Sequence, residues 1–200
     1  MSISKHERKS HMKKHFIKGV YIKIAIGLIF ILSIFLYSFL KKQMGDHLVI
    51  NEIAFSKSDG IDWIEIYNPT INNLSLKGLY LSDKANNFSR FKIKEDIIVP
   101  SHGYVILYGN GYKGDLTNSV MLSFRISNGE TVYLVAKDGS SLIDSLTALS
   151  PDKDKTEFSI GRFPDGSEEI FIMSQDTPGE RNIKDHSDMP IDSIDLQFQN

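Results

Sequence analysis

Residues 62–70 read DWIEIYNPT, and this stretch decides the fold. Alternation sets Ile64 and Ile66 on one side with Asp62 and Asn68, and Trp63, Glu65 and Tyr67 on the other. Apolar bulk on both sides predicts a strand covered on both faces, as in the inner strand of a sandwich. Pro69 ends it, because proline offers no ladder hydrogen and forces Asn68 out of the helical region. Working outward, short apolar or alternating runs recur between turn residues, and no segment beyond residue 40 sustains a helical period. Strands are predicted at 48–55, 62–68, 74–82, 88–93, 103–109, 120–126, 130–137 and 142–146, with two further ones at 158–163 and 170–173. Turns are predicted at Pro100 to Gly103, Asn128-Gly129, Asp138-Gly139 and Asp165-Gly166, the dipeptides that tolerate a positive φ.

The 200 residues are 41% hydrophobic and 24% charged, which excludes a chain disordered throughout, a collagen and a coiled coil. The absence of cysteine excludes disulfides, a thiol nucleophile and a thiolate-held metal. A net charge of -2 hides an asymmetry: residues 1–40 hold seven bases and one acid, and residues 41–200 hold sixteen bases and twenty-four acids. Between them, residues 24–40 read IAIGLIFILSIFLYSFL without a charge. Extended back to Gly19, the run reaches the roughly 20 residues a membrane helix needs, and Lys23 is placed to snorkel. The apolar core is longer than that of a secretory signal and is followed by Lys41-Lys42, so it reads as an anchor. The basic flank at 1–18 predicts that the N-terminus is cytoplasmic and residues 41–200 extracytoplasmic.

The ordered segments carry a resemblance. VINEIAF (49–55), DWIEIYNPT (62–70), LKGLYLSD (76–83), FSRFKI (88–93), IIVPSHGYVILYG (97–109), LSFRISNGETVYLV (122–135), DGSSLIDSL (138–146), SIGRFPDGS (159–167) and TPGERN (177–182) together resemble the lamin-tail domain family. The resemblance implies an all-β fold, an immunoglobulin-like β-sandwich, over 48–182. It also implies a bacterial, membrane-anchored member, because a membrane helix stands where a nuclear lamin carries its heptad rod. Ile66 replaces the family's leucine in the second strand, a volume-conserving exchange. The resulting order is a basic N-terminus (1–18), a transmembrane helix (19–40), a linker (41–47), the sandwich (48–182) and an acidic, disordered tail (183–200).

Several residues have roles that physics alone proposes. Asn68 caps the turn before Pro69, Gly78 permits a bulge or close approach, and Trp63 is a large apolar plug. Glu52 and Glu65 stand among apolar residues and need partners, for which Arg90, Arg125 and Arg162 are the expected candidates. Gly109 to Gly114 spells a literal G-x-G-x-x-G, but strand-like residues follow where a nucleotide fold needs a helix, and Asp115 stands where a P-loop needs lysine. No serine lies in a nucleophile elbow, and His47, His102 and His186 are scattered over a linker, a turn and a tail. Asp152, Asp154 and Glu157 begin like a calcium loop but lack its glycine and its final acid. The pairs Asp62 with Glu65 and Glu168 with Glu169 have no spacing that proves hydrolytic chemistry.

No catalytic, cofactor-binding or metal-binding residue is therefore assigned, no cofactor is expected, and the protein is expected not to be an enzyme. The expected role is a non-catalytic, single-pass surface module for binding, tethering or scaffolding. Its expected partners are the membrane and an unidentified protein or cell-wall polymer, with no small-molecule substrate. Loops 83–87 and 109–118 are the candidate contacts. Alternatives are an accessory module of an exported nuclease or hydrolase system, a weak hydrolase using the strand carboxylates, and a DNA-tethering module. The acidic balance of residues 41–200 disfavours the last, despite Lys84, Arg90, Lys92 and Lys94.

Overall fold

A computed structural model describes residues 19, 21–36, 47–55, 61–149 and 159–191 of the chain. The chain divides into two compact units, Met1–Gln43 and Met44–Asn200. In the first, residues 21–36 are helical and expose large apolar side chains all along, from Tyr21 to Leu36. Sixteen residues at 1.5 Å each make a helix of about 24 Å. No helix among the described residues is long and apolar enough to cross a membrane. The span expected over 19–40 is thus not met by them, and residues 37–46 lie outside the described set.

The second unit is a β-sandwich. Its larger sheet has the order β12-β11-β10-β1-β2-β7, formed by Met189–Pro190, Ile170–Met173, Ser159–Arg162, Val49–Ala54, Trp63–Tyr67 and Tyr104–Tyr108. The smaller has the order β5-β4-β8-β9, from Phe91–Lys92, Tyr80–Ser82, Thr131–Val135 and Leu142–Thr147. Leu74–Ser75 (β3) and Ile98–Val99 (β6) pair separately. The ladders between these strands are antiparallel, which suits hairpin-length connections, and an isolated parallel bridge joins Tyr108 to Met121.

Alternation builds the core. Ile53, Ile64, Ile66, Val105, Leu107, Ile160 and Ile172 of the larger sheet share a cluster with Leu81, Val132, Leu134 and Leu146 of the smaller. Among the described residues all the members of this cluster lie between Leu48 and Ile191, so the second unit carries a core of its own. Trp63 and Glu65, on the other face of β2, are also buried. The inner-strand reading of 62–68 is met: β2 lies between β1 and β7, with both faces covered.

Three expectations about elements are corrected. The stretch 74–82 is two strands, because Gly78, at φ 86°, turns the chain between β3 and β4. The stretch 120–126 belongs to no named strand, although Val120, Leu122, Phe124 and Ile126 are buried and the residues between them exposed. It runs extended past Tyr108, whose N–H donates to the Val120 carbonyl at 3.0 Å and whose carbonyl accepts from Leu122 N–H at 2.8 Å. Finally, the tail expected to be disordered from residue 183 contributes β12, which pairs with β11 through Phe171↔Pro190 and Ile172↔Met189. Asp188 fixes this return by accepting from the N–H groups of Ser174 (2.7 Å) and Asp185 (2.6 Å). Residues 192–200 lie outside the described set.

Candidate functional site: a buried carboxylate layer

The outer face of the larger sheet holds the densest polar chemistry in the sandwich. A β-bulge in β1 between Ile50 and Glu52 inserts Asn51, so that Asn51 and Glu52 together oppose Glu65 of β2. Glu52 and Glu65 are cross-strand partners, and both are fully buried. On the other side of β1, Glu52 faces Gly161, whose missing side chain leaves room for Asn182: a Cβ there would lie 2.7 Å from the Asn182 amide nitrogen. Residues 174–182 close over this layer.

The expected arginine partners are not there. Arg162 neighbours Gly161 in β10 and therefore points to the opposite face, where it binds Asp144 of β9 at 2.9 Å and the Ile50 carbonyl at 2.9 Å. Arg125 pairs with Asp62 at 3.1 Å, and Arg90 pairs with Asp83. The glutamates are held by neutral donors instead. Glu52 accepts from the Ser159 hydroxyl and from Thr177 N–H at 3.3 Å. Glu65 accepts from the Asn51 side-chain amide at 2.9 Å and from Gly179 N–H at 2.7 Å. Asn51 also donates to Asp165 at 3.0 Å and accepts from Gly166 N–H at 3.0 Å, and Asp165 in turn accepts from the Tyr104 hydroxyl at 2.8 Å.

Thr177 Oγ1 lies 2.8 Å from Asn182 Oδ1 and 3.0 Å from Glu52 Oε2, and its one hydrogen is shared between these two acceptors. The Asn182 nitrogen donates to the Arg162 carbonyl at 2.8 Å, so its oxygen is the atom facing Thr177. Burial pushes Glu52 up to about 7, against the hydrogen bonds of Ser159 and Thr177. It pushes Glu65 up to about 8, against those of Asn51 and Gly179. Two carboxyls that hold protons near neutrality are able to exchange them, but they face the chain's own groups on every described side.

The other candidates are dispersed. Asp62 and Glu65 lie three residues apart and so on opposite faces of β2; Asp62 accepts from Arg125 and from Ile126 N–H at 3.0 Å. Glu168 and Glu169 are exposed, as are His102 in its turn, at φ 52°, and His186. Asp152, Asp154 and Glu157 lie outside the described residues. The G-x-G-x-x-G stretch is a loop that leads into the extended 120–126 segment, and its Gly109 N–H donates to the Asp62 carbonyl at 2.7 Å. Loops 83–87 and 109–118 are mostly exposed, with Asp83 and Gly109 buried at their starts. Among the described residues no group of three or more His, Asp or Glu side chains could hold a metal ion.

Asn68 caps its turn as read: its side chain donates to the Asn72 (2.7 Å) and Val99 (3.0 Å) carbonyls and accepts from Thr70 N–H at 3.0 Å. The Lamin Tail Domain family matches residues 42–149. The chain belongs to the lamin-tail domain family. The match covers more than half of the chain and ends before β10, β11 and β12, which extend the larger sheet beside β1. No curated protein and no solved structure matches the chain. The roles of Asn51, Thr177 and Asn182 were missed from sequence. The one signal was TPGERN (177–182), which carried the resemblance without revealing that it folds back over Glu52 and Glu65.

Proposed function

We propose that this lamin-tail protein is a non-catalytic module that binds or tethers a partner at the cell surface, held by its N-terminal helix. The observation that carries the reading is the use made of the buried acids. Glu52 and Glu65, the residues best placed for acid–base work, spend their hydrogen bonds on Asn51, Ser159, Thr177 and Gly179 of their own chain, which favours a structural role. The anchor rests on the uncharged run 24–40, on the apolar side chains exposed along helix 21–36, and on the basic flank before it. The proposed topology is N-terminus inside and sandwich outside, with a protein or wall polymer as partner and loops 83–87 and 109–118 in contact.

The test is a C-terminally tagged full chain in intact cells. The reading expects the tag to resist extraction by alkali, to be lost to externally added protease, and to recover one partner after cross-linking. Alkali-soluble protein, or a tag untouched by protease until the cells are lysed, overturns it.

A further inference from the structure

The segment that closes the outer face of the larger sheet buries almost nothing of its own. Of residues 174–183 only Thr177 and Asn182 are buried, and the apolar Pro178 and Ile183 are exposed. What fastens the segment is polar, and most of it ends on carboxyl groups. Thr177 N–H donates to Glu52 at 3.3 Å, Gly179 N–H to Glu65 at 2.7 Å and Asn182 N–H to Asp165 at 3.0 Å. The Asn182 side-chain amide adds a bond to the Arg162 carbonyl at 2.8 Å. A segment held by so few apolar contacts opens more easily than the core beneath it.

Under it, Glu52 and Glu65 stand directly opposite each other on neighbouring strands, where Cβ atoms are about 4.5–5.5 Å apart and like charges repel. Among the described residues neither forms an ion pair. The charges around the pair are acidic: Asp176 on the segment acts on Glu52, and Asp165 in the β10–β11 turn acts on Glu65. Arg181, the base on the segment, is turned to Asp165 at 3.8 Å with its side chain 76% exposed. Burial pushes Tyr67 and Tyr104 up, so both stay neutral. From β10 this face receives Ser159 and Gly161, while Arg162 points to the other. The bonds from Asn51, Ser159, Thr177 and Gly179 favour the ionised carboxylates, but burial outweighs them. Two charges here lack water, and lifting the segment admits it without disturbing Ile53, Ile64 and Ile160 on the core side.

We propose that residues 175–182 are a pH-gated strap, shut while the Glu52–Glu65 pair keeps its protons and opening increasingly often as both carboxyls ionise. Opening exchanges a closed, hydrogen-bonded layer for an acidic floor of Glu52, Glu65 and Asp165, with the two-sheet core intact. It also returns both glutamates toward their ordinary value of 4.5. Closure is therefore strongest in acid, weakens as pH rises, and stops weakening once both groups are ionised in the shut state, above about 8.

The test is hydrogen exchange of the full chain in detergent micelles, read by mass spectrometry and corrected for the intrinsic rate at each pH. The reporters are the amides of Thr177, Gly179 and Asn182, which are bonded to the three carboxyls. Between about pH 6 and pH 9 their opening constant should rise by about a thousandfold if the lifted strap frees both glutamates fully. E52Q, which leaves a single titrating carboxyl in the pair, should cut that rise by about tenfold. Because the opening is local, the exchange of these amides should not respond to about 1 M urea, whereas that of β8 in the smaller sheet should. A rise below about tenfold in the parent, a rise that E52Q leaves intact, or exchange of the strap with the urea dependence of β8 each overturns the proposal. The pH and urea responses of the parent protein stand without the variant.

Discussion

Glu52→Gln in the 44–200 sandwich should raise stability at alkaline pH and leave it unchanged in acid. In the folded state Glu52 titrates at about 7, against an ordinary value of 4.5. A carboxyl whose folded pKa is raised favours folding while it is protonated in both states. As pH climbs through 4.5 the unfolded chain releases its proton first, and stability falls until the folded group also ionises near 7. At 1.36 kcal/mol per unit, that window removes on the order of 3 kcal/mol from the parent protein. Glutamine keeps the shape and an oxygen that accepts from Ser159 and Thr177 N–H, and its N–H can donate to Thr177 Oγ1, whose own hydrogen then goes to Asn182 Oδ1. Urea unfolding at pH 4, 6 and 8.5 is the assay. The variant and parent should agree at pH 4 and differ by about 3 kcal/mol at pH 8.5, a rise in Tm of roughly 6–12 °C for a domain of this size. A variant less stable than the parent at pH 8.5, or an offset that is constant with pH, refutes the reading that burial raises Glu52.

Other perturbations have distinct signatures. Glu65→Gln removes a carboxyl that burial pushes up to about 8 but sets an amide donor against Gly179 N–H or the Asn51 amide, a cost of about 1–3 kcal/mol that should show at pH 4 in urea unfolding and be offset as pH rises. Gly161→Ala should destabilise by about 1–3 kcal/mol by pushing a Cβ into Asn182, and a crystal structure of the variant should show residues 177–182 displaced. Asp144→Ala should cost about 3–5 kcal/mol, since it leaves the buried Arg162 guanidinium without its carboxylate. Leu134→Ala, at a fully buried position between the sheets, should cost about 2–5 kcal/mol with the strand content seen by circular dichroism retained.

What the sequence disclosed depended on whether a residue's pattern or its neighbours decided the outcome. Strand β2 was legible because its alternation names its own faces. The 120–126 run shows the limit of that signal: Val120, Leu122, Phe124 and Ile126 alternate because they are buried, and burial does not require a ladder. The arginine partners expected for Glu52 and Glu65 failed for a related reason. Arg162 is one residue from Gly161, and that single step places it on the other side of the sheet. The tail was misread because acids at Asp185 and Asp188 look solvated in sequence, whereas Asp188 collects two backbone N–H groups and holds β12 against β11. Asn51 could not be singled out, because a bulge leaves no mark on a run as apolar as VINEIAF.

The position of β1 governs how the sandwich would bear mechanical load. The chain enters the fold at β1, between β2 and β10 in the interior of the larger sheet. Traction applied at that end along the strand stresses the bonds on both flanks in shear, so many must rupture at once, whereas a peripheral strand would peel away one bond at a time. Force that entered the sandwich at residue 49 would therefore be shared by two ladders from the outset.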